Sequence, residues 1–138
     1  MARLTIRIDL AGRTAIGPGK IRLLELVGES GSISAAGRAM GMSYRRAWML
    51  VAALNESFRS PVVATQLGGT RGGGAALTDL GHDVIARYRA LERAAAKAGA
   101  PQLAALDAAA VRAASRSKSR RVAARRHHST SMPRRASR

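Results

Sequence analysis

The sequence contains no cysteine, which removes disulfides and thiolate metal sites from consideration. Aromatic residues are scarce: one Trp, one Phe and two Tyr make up 3% of the chain, and much of the 46% hydrophobic content is alanine, so the core must be small. Acids are scarce too, with 8 Asp and Glu against 24 Lys and Arg in 138 residues. With three His and eight scattered acids, no catalytic arrangement emerges, and an enzyme is not expected. No stretch approaches 18 consecutive apolar residues, and MARLTIRIDL lacks the apolar segment of a signal peptide. The expectation is therefore a cytoplasmic chain with no membrane partner.

What is abundant is positive charge. The formal charge is +16 and the isoelectric point about 12.0. Residues 112–138 hold ten of the Lys and Arg and no acid, yet the part before them still carries a balance of +6. A domain that stays basic without its tail favours a polyanionic partner.

One stretch organises the rest, GSISAAGRAMGMSYRRAWMLVAALNESF at 31–58. Ser32 can cap a first helix with Ile33, Ala36, Gly37 and Met40 on one face, and Gly41-Met42 interrupts it. Ser43 can cap a second helix, 44–58, whose buried stripe is Ala47, Leu50, Val51, Leu54 and Phe58. At about 100° per residue, Arg45, Met49, Ala52 and Glu56 face the other way, with Arg46 and Trp48 at the borders. Small residues at Ala36 and Gly37 let two helices cross closely. A short helix, a glycine turn and a helix opening with Tyr-Arg-Arg fit a helix-turn-helix, whose second helix puts its N-terminal turns against base edges in the major groove. Arg bonds guanine bidentately, and Ser and Tyr hydroxyls hold phosphate. An ordinary αα-hairpin with a solvated basic face is the alternative reading of the same residues.

Around this motif, Leu4, Ile6 and Ile8 alternate with polar residues as a strand, followed by a turn at Gly12-Arg13. Pro18 opens a supporting helix carrying Ile21, Leu23, Leu24, Leu26 and Val27. After Ser60-Pro61, strands at 62–67 and 75–78 flank the loop Gly68-Gly69-Thr70-Arg71-Gly72-Gly73-Gly74, which describes a wing with Arg71 at its tip. The loop lacks the Gly-Lys-Ser/Thr of a P-loop, so no nucleotide cofactor is expected. Thr78 can cap a long helix, 79–98, whose apolar stripe of Leu80, Val84, Ile85, Tyr88, Leu91 and Ala95 covers the core first and then projects toward a partner, with termination expected near Gly99-Ala100-Pro101. Asp79 and Asp83 in its first turns suit the helix dipole. A second copy bound through Leu80, Val84, Tyr88 and Leu91 is the simplest partner; a monomer with the helix folded back is the other reading. Residues 101–114 read as a short Ala-rich helix or linker, and 115–138 as a disordered Ser/Arg tail that can lie along phosphates. His127-His128 lack a third ligand type, so no metal is expected.

Three blocks together, IGPGKIRLLE at 16–25, GSISAAGRAMGMSYRRAW at 31–48 and the wing with LTDLG at 77–81, resemble the N-terminal DNA-binding domain of the molybdate-responsive transcription regulators of the ModE type. The resemblance spans about Leu4 to Leu91. It implies a winged helix-turn-helix, mainly α with a small β wing, dimerising through the helix after the wing. It implies double-stranded DNA as partner, contacted by Ser43, Tyr44, Arg45 and Arg46 and by the wing around Thr70 and Arg71. With Ser34 and Met49 these residues form the candidate DNA-binding set. Regulators of this type continue into an oxyanion-binding module for which these 138 residues leave no place, so direct molybdate binding is not expected. A weakly specific architectural DNA protein led by its tail, and a protein-interaction module using the Tyr44–Trp48 face, are the competing functional readings.

Overall fold

The helices begin where their caps place them. A computed structural model describes residues 1–12, 14–66 and 74–111. In it, α1 (Pro18–Ser30) starts on Pro18, a residue whose missing N–H costs nothing in a first turn. In α2 (Ile33–Ala39) the Ser32 hydroxyl accepts from the Ala35 N–H at 3.1 Å, and in α3 (Tyr44–Ser57) Ser43 accepts from Arg46 N–H at 3.2 Å. The fourth helix, α4 (Asp79–Ala109), is capped by Thr78, which accepts from the Gly81 N–H at 3.0 Å and donates to the Pro61 carbonyl.

Two antiparallel pairs complete the architecture. Strands β1 (Ile8–Asp9) and β2 (Ala15–Ile16) pair across the turn at Gly12. Strands β3 (Val63–Gln66) and β4 (Gly74–Leu77) form the wing, in register from Val63 opposite Leu77 to Gln66 opposite Gly74. The fold is mainly α, a winged helix-turn-helix with a long last helix. Its core is one cluster: Ile21, Leu23, Leu24 and Val27 of α1, Ile33 and Ala36 of α2, Ala47, Val51 and Leu54 of α3, Val62 and Val63, and Val84 and Tyr88 of α4. The close crossing of α2 and α3 rests on Gly37, where an added Cβ would stand 2.7 Å from the Ala47 Cβ.

Gly31 joins two parts of this frame. Its φ of 69° ends α1, its N–H donates to the Val27 carbonyl at 2.8 Å, and its own carbonyl accepts from the Ala75 N–H of β4 at 2.9 Å. The helix end and the wing therefore meet at a single residue.

Three sequence expectations are corrected. The alternation from Leu4 gives only a two-residue strand, paired with the unanticipated Ala15–Ile16; the Ile6 carbonyl is taken by the Tyr88 hydroxyl at 2.7 Å, which holds this segment against α4. The last helix does not stop at Gly99-Ala100-Pro101 but continues to Ala109 with Pro101 inside it. A proline there forfeits one helical hydrogen bond and costs about 3 kcal/mol, and the surrounding alanines, the best helix formers, offset it. The N-terminal ammonium of Met1 stands 3.7 Å from the Asp107 carboxylate, an exposed contact to the distal part of the helix. Finally, the four residues assigned to a dimer interface divide. Val84 and Tyr88 are buried in the chain's own core and Leu80 packs at its edge, whereas Leu91 is 49% exposed. The stripe is covered only as far as the small domain reaches.

Arg89 ties α4 to α1. Its guanidinium donates to both oxygens of Glu25, at 2.6 and 3.3 Å, and to Glu92 at 2.7 Å. The hydrogen bond from Arg89 holds the Glu25 carboxyl below its ordinary value of 4.5, helped by the charges of Arg89 and Arg22 and opposed by partial burial. A depressed carboxylate stabilises the fold above its unfolded-state value and loses that contribution as the pH falls through its folded value. The stability gap between wild type and Glu25→Gln should therefore be about 1 kcal/mol at neutral pH and close as the pH drops below about 4.5. Urea midpoints of both proteins between pH 7 and 3 check this; a gap that stays constant would detach the pair from acid sensitivity.

Candidate nucleic-acid interface

The exposed side of the motif is built by the same periodicity that builds its core. With Ala47, Val51 and Leu54 buried, the opposite side of α3 has to face solvent, and Arg45, Met49, Ala52 and Glu56 do. Ser43 sits at the N-cap, and Tyr44 and Met49 are exposed by 64% and 61%. Arg45 and Arg46 project from the first turn of α3, and neither is in an ion pair among the described residues. Arg7, Arg22, Arg87 and Arg89 each pair with a carboxylate, while Arg3, Arg38, Arg59 and Arg93 are, among the described residues, unpaired like Arg45 and Arg46, which differ from them in standing side by side in one helix turn. Two free guanidiniums beside free helix N–H groups concentrate positive potential at one end of α3.

Between α2, α3 and the wing runs a groove of about 500 Å³. Ser34 from the first turn of α2, Tyr44 and Trp48 from α3, and Thr65 and Gln66 from β3 line it. The Tyr44 and Trp48 rings are tilted by 59° with centroids 6.0 Å apart, which makes an aromatic wall. On the other flank of α3, Ser43, Arg45, Arg46 and Met49 border a shallower depression. The structure thus brings Ser34, Ser43, Tyr44, Arg45, Arg46 and Met49 to one surface. Thr70 and Arg71 lie outside the described residues, as do residue 67 and the tail expected at 115–138. Sequence reasoning missed Thr65 and Gln66 as members of this surface, and gave Trp48 only to the competing protein-interaction reading. The signal was present, since Trp48 falls four residues after Tyr44 and Thr65 and Gln66 are polar residues on an otherwise apolar strand.

One side chain ties α3 directly to the start of the wing. Asn55 near the end of α3 accepts from the N–H groups of Val62 and Val63 at 2.9 and 3.0 Å, and donates to the Val63 carbonyl at 3.1 Å. Val62 and Val63 are buried, so no water stands ready to replace the amide. Asn55→Ala should cost about 2 kcal/mol, read as a lower urea midpoint with unchanged slope. A loss below a few tenths would show that the backbone finds other partners.

Among the described residues no helix is long and apolar enough to cross a membrane, and no group of three or more potential ligands gathers for a metal.

Comparison with known proteins gives this surface a setting. Residues 19–82 match the family model described as bacterial regulatory helix-turn-helix protein, lysR family. The chain is 46% identical over 82 residues to the molybdenum-pterin-binding protein MopB of Rhodobacter capsulatus, an overlap of 59% of this chain and 30% of that protein. It is 39% identical over 92 residues to the molybdenum transport protein ModE of Azotobacter vinelandii, covering 67% and 33% of the two chains. With the DNA-binding transcriptional dual regulator ModE of Escherichia coli K12 it shares 33% identity over 97 residues, 70% and 37% of the two. The chain spans about a third of the length of these curated relatives. Residues 19–82 thus form a helix-turn-helix domain, and the N-terminal two thirds of the chain is similar in sequence to part of the ModE proteins.

Proposed function

We infer that the chain is a sequence-specific regulator of transcription that binds double-stranded DNA with the N-terminal turns of α3 in the major groove. The observation that carries this reading is the pair Arg45 and Arg46, exposed and without carboxylate partners on the face that the core leaves free. A major groove admits one helix, and Arg is the residue that most often reads guanine there. Similarity to regulators named for DNA binding supports the same reading. Ser34 and Ser43 hold phosphates, the Tyr44–Trp48 wall lies against the backbone strand between α3 and the wing, and Thr70 and Arg71 extend the contact. A second copy joins through the outer face of α4, where Leu91 and Leu106 are exposed, so that two recognition helices meet two half-sites. The ten basic residues of 112–138 add affinity without reading sequence.

The experiment is competition binding of the full chain to genomic fragments against random duplex across a salt series. A preference of about a thousandfold for one fragment is the expected result. Arg45→Ala should then cost about 1–3 kcal/mol at that fragment and relax preference at one position of it. Uniform weakening on all duplexes would reduce Arg45 to a phosphate contact, and no preference in the wild type would favour an architectural role. Because Trp48 is the single tryptophan and borders the groove, its fluorescence reports binding without a label.

A further inference from the structure

Exposed apolar surface is unevenly distributed on this domain. Of the eight large hydrophobic residues exposed among the described residues, three fall within the six positions Tyr44 to Met49. Carbon facing water on a recognition surface needs a reason, since polar residues would hold phosphate equally well. Tyr44 and Trp48 have one, because they wall the groove toward the wing. Met49 does not share that groove. It stands on the other flank, beside Arg45 and Arg46, and the residue is 61% exposed.

The chemistry of the major groove leaves few matches for such a side chain. Guanine, adenine and cytosine show donors and acceptors there, and thymine alone adds a carbon group, its C5-methyl. Met49 lies four residues after Arg45, one turn along the same face, so the two address neighbouring base pairs. An unbranched thioether has the reach and the soft surface to cover a methyl group. We propose that Met49 is a specificity-determining residue that reads the C5-methyl of a thymine adjacent to the base pair contacted by Arg45. The proposal rests on the reading of α3 as the major-groove helix.

The test uses the full chain and its preferred fragment, with each thymine replaced singly by deoxyuridine. That exchange deletes the methyl and keeps every hydrogen bond of the pair. Wild-type protein should lose about 3- to 10-fold in affinity at one or two positions per half-site, the effect of burying one methyl. Met49→Ala should bind the two duplexes alike, Met49→Leu should keep the difference, and Arg45→Ala should keep it while weakening both. Met49 is outside the core, so these variants leave the fold in place. The proposal is overturned if the wild type ignores every methyl while still preferring its fragment, or if Met49→Ala keeps the methyl effect in full. A wild type with no preference for any fragment overturns the major-groove reading as well, so the two failures are told apart.

Discussion

Tyr88→Ala should lower the stability of the chain by about 4 kcal/mol, the largest single loss expected here. Tyr88 is 1% exposed, the largest of the fully buried side chains, and its ring fills the space between α4 and the N-terminal segment. A domain of this size has roughly 5–15 kcal/mol to lose, so the melting temperature should fall by about 15–30 °C. The hydroxyl and the ring separate cleanly. Tyr88→Phe retains the packing and leaves the Ile6 carbonyl without its 2.7 Å donor, a loss of about 1 kcal/mol. Urea and thermal unfolding by circular dichroism measure both. Equal losses in the two variants would mean that the hydrogen bond, not the packing of the ring, anchors the N-terminal segment.

Gly81→Ala should cost about 3 kcal/mol, against the sign that helix propensity gives. Alanine in a helix interior is ordinarily better than glycine by about 1 kcal/mol. At Gly81 an added Cβ would run into the Val62 carbonyl oxygen and come within 3.1 Å of the Val62 carbonyl carbon. That carbonyl cannot retreat freely, because it accepts from the Thr78 N–H at 3.0 Å, and Val62 is fully buried. Overpacking against backbone moves the start of α4 away from the wing. Gly99 supplies the control within the same helix: a Cβ there meets nothing within 4 Å, so Gly99→Ala should stabilise by up to about 1 kcal/mol. The opposite signs of the two substitutions, measured by urea unfolding, are the prediction. A Gly81→Ala variant as stable as wild type would show that the α4–Val62 contact is looser than drawn.

Much of this arrangement was legible in the residues because local rules coincided. Ser32, Ser43 and Thr78 each cap the helix that the hydrophobic period assigns them, and Ala47, Val51 and Leu54 are buried as that period requires. Where the sequence misled, tertiary contacts had overruled a local signal. Pro101 reads as a helix end, yet alanines on both sides carry the helix through it. Leu4 and Ile6 alternate like a strand, yet a hydroxyl 82 residues away claims the Ile6 carbonyl. Val84, Tyr88 and Leu91 form one stripe, and only the outline of the domain decides which of them meet solvent. The groove was the least legible feature, because the hairpin that carries Thr65 and Gln66 could be read from the sequence but its placement beside Trp48, held by Asn55, is encoded by no local pattern.

The double attachment at Gly31 has a mechanical corollary. The wing is fastened to the end of α1, and α2 and α3 pack on that same helix. The two arms of the surface are thus measured from one datum. A tilt of α1 carries helix and wing together and leaves the spacing between them as it was.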